Sequence, residues 1–263
     1  MYDWKRWFAI AIALSLSASV AFAQCGPGGC PSSGRPKPEQ GQYHRPRNGT
    51  QQPRDNPPKV RDNPTRPIGE YSSAVRINVR LPENSGAKGS GVLVSWGGRI
   101  VVLTARHVVA GAEEITVRVT TGAVLRARVL VTSPWDCAVL QLEGSTDGIE
   151  PSRLVTNEEA QFQRGDELRS CGFGGEEIFS VNRGRFLGFK RSSEEIDGSD
   201  DWMAITGQAR QGDSGGPVYD RNGRVAGILW GSDDQNNRTI CVQAGRLGIA
   251  MNEAMRTYVD PSN

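Results

Sequence analysis

Six consecutive residues, Gly212-Asp213-Ser214-Gly215-Gly216-Pro217, place a serine hydroxyl in a turn that is rich in glycine. Glycines on both sides allow backbone conformations that residues with a Cβ rarely adopt. We therefore expect the amides of Gly212 and Ser214 to point at one spot, where they would bind the oxyanion that forms when a hydroxyl attacks a carbonyl. Ser214 is the predicted nucleophile.

A serine hydroxyl needs a base, and the chain has two histidines that could supply one. His44 lies in a proline-rich stretch that is not expected to fold, which leaves His107, within residues 104–108. Asp136 heads an apolar run that is typical of a buried strand, and its carboxylate is predicted to orient the imidazole. Each motif alone is also typical of a turn or a strand boundary. Together they predict a catalytic triad in the chain order His107, Asp136, Ser214.

These motifs resemble those of the chymotrypsin-like serine endopeptidases, whose signatures are a T-A-x-H turn, a D-x-A-x-L strand and G-D-S-G-G-P. The order of the three residues separates this family from the subtilisins and the α/β-hydrolases, which use the same groups in other orders. Residues 227–231 are similar to the strand with which the family pairs its substrate. The resemblance covers residues 68–263.

Three features favour the bacterial HtrA-like and trypsin-like branch of this family. Only 29 residues separate His107 from Asp136, and Gly89-Ser90-Gly91 precedes the histidine turn. The chain also lacks the cysteines that form the animal family's disulfides around the histidine and the serine. No PDZ module is expected, because 49 residues follow Ser214.

Short stretches with apolar residues at every second position, separated by turn residues, predict an all-β fold. Within the resembled family, this implies two six-stranded antiparallel barrels and a short C-terminal helix, with substrate bound in the cleft between the barrels. The predicted strands span residues 74–81, 89–95, 99–104, 115–119, 124–132 and 137–142, then 168–172, 179–190 (one strand or two around Gly184), 202–205, 218–219, 225–230, 239–242 and 247–251.

The resemblance also implies which residues bind the substrate. Leu229 and Gly231 are expected to offer backbone groups to an extended polypeptide. Gln208, six positions before the serine, is expected at the base of the pocket for the residue that precedes the cut bond. An uncharged Gln208 between open walls predicts an uncharged side chain in that pocket. The predicted substrate-binding residues are Gln208, Ala209, Leu229, Trp230, Gly231 and Gly248, beside the oxyanion amides of Gly212 and Ser214.

Residues 1–23 have the features of a signal peptide: Lys5 and Arg6, an apolar segment over residues 7–16, and Ala21-Phe22-Ala23 as a cleavage site. A retained membrane anchor is the alternative, but the uncharged stretch is interrupted by serines and is short for a span of about 20 residues. The mature chain is therefore expected to begin at Gln24, in the periplasm, in the cell envelope or outside the cell. After signal cleavage, no membrane association is expected.

Residues 24–67 contain ten of the fifteen prolines and almost no large aliphatic side chain, so they are predicted to form a disordered linker. The linker has eight basic residues against three acidic ones. Weak binding to anionic envelope polymers is one hypothesis for this charge, and a solvated linker without a partner is the simpler one. Cys25 and Cys30 could pair there. No nucleic-acid partner is expected.

Residues 68–263 are long enough for one substantial core, in which Cys137, Cys171 and Cys241 are expected to act as small hydrophobic residues. The predicted function is that of a secreted serine endopeptidase that forms an acyl-enzyme on Ser214. It acts on polypeptides and needs no metal ion or cofactor. The alternative is a catalytically silent module of the same fold that binds peptides or envelope material. In either case Asp213, buried next to the nucleophile, must find hydrogen-bond donors within the chain, without an activating cut.

Overall fold

A computed structural model describes residues 69–175, 178–190 and 202–258. The predicted signal peptide, the proline-rich linker and the pair Cys25 and Cys30 lie outside these residues. Within the described residues, the fold is two closed antiparallel barrels of six strands each, as the sequence predicts. The first barrel carries His107 and Asp136, and the second carries Ser214.

The first barrel runs in the order β1-β2-β3-β6-β5-β4, and a short helix, α1 (Arg106–Val109), follows β3. Because α1 begins where β3 ends, and β6 pairs with β3, His107 and Asp136 meet at one end of this barrel. The strands are β1 (Ala74–Arg80), β2 (Gly86–Trp96), β3 (Arg99–Ala105), β4 (Glu114–Arg118), β5 (Val124–Thr132) and β6 (Cys137–Glu143).

The second barrel runs in the order β10-β11-β12-β9-β8-β7. Ser214 lies in the connection from β9 to β10. Its strands are β7 (Glu167–Gly172), β8 (Ser180–Lys190), β9 (Trp202–Thr206), β10 (Pro217–Tyr219), β11 (Val225–Asp233) and β12 (Arg238–Gln243), and a helix, α2 (Ala244–Ala254), follows β12.

Burial explains why some strands alternate and others are apolar throughout. In β1, Val75, Ile77 and Val79 are buried inside the first barrel, while the residues between them are half-buried. In β2, by contrast, Leu93 faces the barrel interior while Val92 and Val94 join a second cluster with residues of the other barrel and α2. A strand covered on both faces is apolar at every position. The apolar side of β2 therefore joins the first barrel to the second.

The strand predicted for residues 247–251 is wrong, because these residues lie inside α2. Leu247, Ala250, Met251 and Ala254 are buried at the three- and four-residue spacing of a helix. Residues 179–190 contain one strand, β8, with a register shift between Phe186 and Gly188. In the described part of the chain, no helix is long and apolar enough to cross a bilayer.

Candidate active site

His107 and Asp136 form a direct hydrogen bond at one end of the first barrel. The His107 Nδ1 atom is 2.6 Å from Oδ2 of Asp136, and the backbone amide of His107 donates to Oδ1 at 3.1 Å. An ionised carboxylate only accepts hydrogen bonds, so Nδ1 carries the proton of a neutral imidazole and Nε2 is left as an acceptor. Asp136 is 7 % exposed, whereas the His107 ring is half-exposed. This is the tautomer that a general base needs.

The backbone of Asp136 adopts a left-handed conformation, with φ of 57°. Aspartate and asparagine tolerate this region better than most residues, which adds a backbone reason for an aspartate here. The amide of Arg106 donates to the carbonyl of Asp136 at 3.0 Å. On the preceding side, the Arg246 guanidinium of α2 lies 4.5 Å from the centre of the Trp135 ring. Contacts from α1 and α2 therefore hold both sides of this turn.

Two further groups determine the charge around the pair. The Arg106 side chain, half-exposed, brings Nε to 3.5 Å from Oδ1 of Asp136. Burial raises the pKa of the Cys137 thiol to about 11, so the residue that follows Asp136 adds no competing negative charge at neutral pH. Cys137 is also a buried free thiol, as expected for a core residue.

Within residues 69–175, 178–190 and 202–258, no group of three or more His, Cys, Asp or Glu side chains is placed to hold a metal ion.

The turn around Ser214 packs tightly against the first barrel. Gly212 and Gly215 have φ of 92° and 82°, so two of the glycines take conformations that L side chains rarely adopt. A Cβ on Gly215 would lie 2.3 Å from the carbonyl oxygen of Ser90 and 2.8 Å from the amide nitrogen of Ala105. Ala105 stands two residues before His107, so the nucleophile turn touches the segment that carries the base.

The amides of Gly212 and Ser214 have no hydrogen-bond acceptor among the residues that the structure describes. The carbonyl of Gln211 accepts from the amide of Gly175 at 3.1 Å, and the C=O and N–H of a trans peptide point in opposite directions. The N–H of Gly212 therefore points away from Gly175. Ser214 itself lines a cavity of about 250 Å³, into which a substrate carbonyl would fit. This arrangement is compatible with the predicted oxyanion site.

Asp213 is almost fully buried, and the chain itself supplies its donors. Oδ1 accepts from the amide of Gly174 at 2.7 Å and from Nη2 of Arg210 at 3.1 Å. Oδ2 accepts from the amide and from Nε of Arg210, at 2.9 and 3.1 Å. A Cβ on Gly174 would lie 2.6 Å from Oδ1, so only glycine fits beside the carboxylate. The sequence predicts internal donors for Asp213 but does not identify Arg210. The spacing of three residues between this arginine and Asp213 is the signal that could have found it.

The cavity beside Ser214 includes some of the predicted substrate-binding residues and not others. It is lined by Ala209, Arg210, Gln211, Ser214, Leu229, Gly231 and Ser232. Gln208 is exposed outside this lining, and its carbonyl accepts from Asn182 at 3.3 Å. Gly248 lies in α2, where a Cβ would be 3.8 Å from Trp96 and 3.9 Å from Leu154. The sequence places Gly248 in a pocket wall because its pattern predicts a strand over residues 247–251. These residues are helical in the structure.

The backbone amide and carbonyl of Leu229 each form a hydrogen bond within the protein, and the pairing of Leu229 with substrate stays a prediction. Its amide donates to Gly216 at 2.8 Å, and its carbonyl accepts from Gly215 at 2.7 Å. The next residue, Trp230, has no partner in the register of β11 with β12 or β10, because the register shifts there. Its side chain is 39 % exposed and its ring centre lies 4.8 Å from that of Trp202. Among the described strands, β12 pairs with one edge of β11 here and none pairs with the other edge, which lies open beside Trp230 and Gly231.

Comparisons with known proteins agree with this geometry. Residues 89–228, more than half of the chain, match the family model described as a trypsin-like peptidase domain. A "Probable periplasmic serine endoprotease DegP-like" of Pseudomonas putida (strain W619) is 29 % identical over 178 residues, which are 66 % of this chain and 34 % of the relative. The corresponding protein of Ectopseudomonas mendocina (strain ymp) is 31 % identical over 181 residues, 65 % of this chain and 35 % of that one.

Solved structures show the same fold. The Rv3671c protease of M. tuberculosis in its active form has a TM-score of 0.62 at 27 % identity, covering 78 % of this chain and 90 % of that one. The HtrA-type protease AlgW with a tripeptide has a TM-score of 0.60 at 21 % identity, covering 72 % and 62 %. The chain spans about a third of the length of the curated relatives it matches. On its motifs, its two barrels and the family match, the chain belongs to the trypsin-like peptidases.

Proposed function

We propose that this protein is a serine endopeptidase that cuts polypeptides through an acyl-enzyme on Ser214. The observation that carries the proposal is the pair of amides beside the hydroxyl, on Gly212 and Ser214, for which residues 69–175, 178–190 and 202–258 offer no acceptor. A silent binding module has no chemical use for two such amides next to a serine, whereas acyl transfer uses them to bind an oxyanion. The His107–Asp136 hydrogen bond supports the same proposal.

In the proposed reaction, Nε2 of His107 takes the proton of Ser214 as Oγ attacks the carbonyl carbon of the scissile bond. The two amides bind the oxyanion of the tetrahedral intermediate. The protonated imidazole then gives its proton to the leaving amine, and the acyl group stays on Oγ. A water molecule, deprotonated by the same imidazole, hydrolyses the ester and restores the hydroxyl. Throughout, Asp136 holds the ring in one orientation and stabilises the imidazolium.

The cavity supports a substrate with a modest, uncharged side chain before the cut bond. Leu229 and Ala209 provide apolar lining, and Gly231 leaves one wall open, with no atom within 4 Å of a Cβ placed there. Arg210 also lines the cavity, but its Nε and Nη2 atoms are committed to Asp213 and the carbonyl of Ile178. Because the residues that line the cavity include no aspartate or glutamate, no carboxylate there can pair with a lysine or an arginine of the substrate. The polypeptide would extend beside Trp230 and Gly231, along the edge of β11 that faces away from β12 and lies beyond its pairing with β10.

We further propose that the enzyme acts in the periplasm or cell envelope, after loss of residues 1–23. The DegP-like relatives carry the word periplasmic in their names, and the first 23 residues have the composition of a signal peptide. The basic residues of the linker over 24–67 would favour anionic surfaces, although the charge of +5 needs no partner.

Substitution of the triad tests the proposed function. Ser214→Ala and His107→Ala should each lower turnover of a casein substrate by roughly 10⁴- to 10⁶-fold, because the members of a triad act as one unit. Asp136→Asn should lower it by about 10⁴-fold by favouring the wrong tautomer, while the left-handed backbone remains acceptable. A fluorophosphonate probe should label wild type at Ser214 and leave Ser214→Ala unlabelled.

Circular dichroism of each variant controls for folding. A wild-type protein that is folded but neither labels nor cleaves would favour the silent binding module. Wild-type cleavage by purified Ser214→Ala would refute the assignment of the nucleophile.

A further inference from the structure

Ser90, on β2 of the first barrel, uses its amide and its hydroxyl to bind the turn that carries Ser214. Its amide donates to the carbonyl of Ser214 at 2.9 Å, and its hydroxyl donates to the carbonyl of Gly212 at 2.8 Å. The same hydroxyl accepts from the amide of Phe173 at 2.9 Å. Its carbonyl accepts from the hydroxyl of Thr104 at 2.7 Å. Ser90 is 0 % exposed, so no water substitutes for these partners.

Each of the four backbone carbonyls of residues 211–214 accepts a hydrogen bond, and Ser90 donates two of these four bonds. Those of Gly212 and Ser214 accept from the hydroxyl and the amide of Ser90. The other two accept from Gly175 and Gly216, at 3.1 and 2.9 Å. A peptide unit is planar, so holding its carbonyl also sets the direction of its N–H. The amides that would bind the oxyanion belong to peptide units next to those that Ser90 holds.

The hydroxyl of Ser90 also links the nucleophile turn to the segment 172–175, which packs beside it. Its acceptor contact with Phe173 holds the segment 172–175. That segment in turn supplies the amide of Gly174 to Asp213 and the amide of Gly175 to Gln211. Loss of this hydroxyl would therefore leave the half-buried carbonyl of Gly212 without its donor and the half-buried amide of Phe173 without its acceptor.

We propose that Ser90 is a positioning residue of the oxyanion site, which acts by fixing the orientation of the Gly212 and Ser214 amides. This inference rests on the proposed function, since it concerns the same site. It also accounts for Gly89 ahead of the histidine turn, because a residue without a Cβ lets β2 approach α1 and the nucleophile turn closely, whereas Gly91 packs against Ile77 and Leu103 of the first barrel. A Cβ on Gly89 would lie 3.2 Å from the carbonyl oxygen of Ser214.

Steady-state cleavage of a peptide substrate by Ser90→Ala tests the inference. Removal of a whole oxyanion donor costs about 10²- to 10³-fold in kcat, so loosening two donors should lower kcat by about 10-fold or more. KM should stay within about 2-fold, because the cavity residues keep their places. The rate of fluorophosphonate labelling should fall with kcat.

Ser73→Ala is the matched control. Ser73 is 1 % exposed, and its hydroxyl bonds to those of Tyr219 and Ser152 at 2.6 and 2.7 Å, away from the turn. Both variants should lose thermal stability, but only Ser90→Ala should lose kcat. If Ser90→Ala does not fold, Ser90→Cys is the variant that tests the inference, because cysteine keeps a side chain of similar shape but its thiol is a weaker hydrogen-bond donor. We expect its kcat to fall by at least about 3-fold.

Two results would overturn the inference while the wild type remains active. One is a folded Ser90→Ala, or a folded Ser90→Cys, with kcat within 2-fold of wild type. The other is an equal loss of kcat in Ser73→Ala, which would make the effect one of general destabilisation. An inactive wild type would instead refute the proposed function, so the two failures are distinguishable.

Discussion

Replacement of Arg210 by methionine would show how much the internal ion pair with Asp213 contributes to the nucleophile turn. The change removes two of the four donors of a carboxylate that is 8 % exposed, and leaves the amides of Gly174 and residue 210. Removing one partner of a fully buried ion pair costs about 3–5 kcal/mol. The Arg210 side chain is 40 % exposed, so water reaches this side and reduces the loss.

We therefore expect Arg210→Met to lower the free energy of unfolding by about 2 kcal/mol. For a domain of this size, this corresponds to a fall in Tm of about 4–8 °C. Fluorophosphonate labelling should also slow, since Asp213 lies between the two amides of the oxyanion site. Thermal unfolding followed by circular dichroism measures the first effect, and gel-based labelling measures the second.

The double variant Arg210→Met/Asp213→Asn is the control for charge. It removes the carboxylate that the single variant leaves unpaired, so the two losses of stability should not add. The double variant should be more stable than the sum of the single losses predicts, by about 1 kcal/mol. An Arg210→Met protein within 0.5 °C of wild type, or strictly additive losses, would refute the reasoning.

Two other predictions concern substrate choice and activation. A peptide library should be cut mainly after modest uncharged side chains, since the cavity offers no unpaired charge; predominant cleavage after lysine, arginine or glutamate, read by mass spectrometry, would contradict this. Protein beginning at Gln24 should label with a fluorophosphonate as fully as protein trimmed to Ile68, because Arg210 already supplies the cation that Asp213 needs. Strong labelling of the trimmed form alone would show that the chain is a zymogen.

The strand pattern was predictable because most strands have a local cause. The alternation of Val75, Ile77 and Val79 follows from a barrel strand with one face inside, and it is visible without a partner strand. The motifs of the candidate triad also have a local cause. The glycines that shape the turn around Ser214 must lie directly next to it in the sequence, so the motif can be recognised without the tertiary structure. The short C-terminal helix was predicted and is confirmed, but residues 247–251 of α2 were assigned to a strand, because Gly245 and Gly248 lower helix propensity.

The sequence by itself therefore predicted an all-β fold from its strand pattern. Its motifs, through their resemblance to a known family, predicted the two barrels and the candidate triad. Only the tertiary structure decided that residues 247–251 are helical, since burial of one face against the barrels outweighs the cost of two glycines. It also decided which polar groups hold the nucleophile turn. Ser90 is separated from Ser214 by 124 positions, and no local pattern marks a serine whose partners are backbone carbonyls from another barrel. Such contacts exist only once both barrels have folded and packed together.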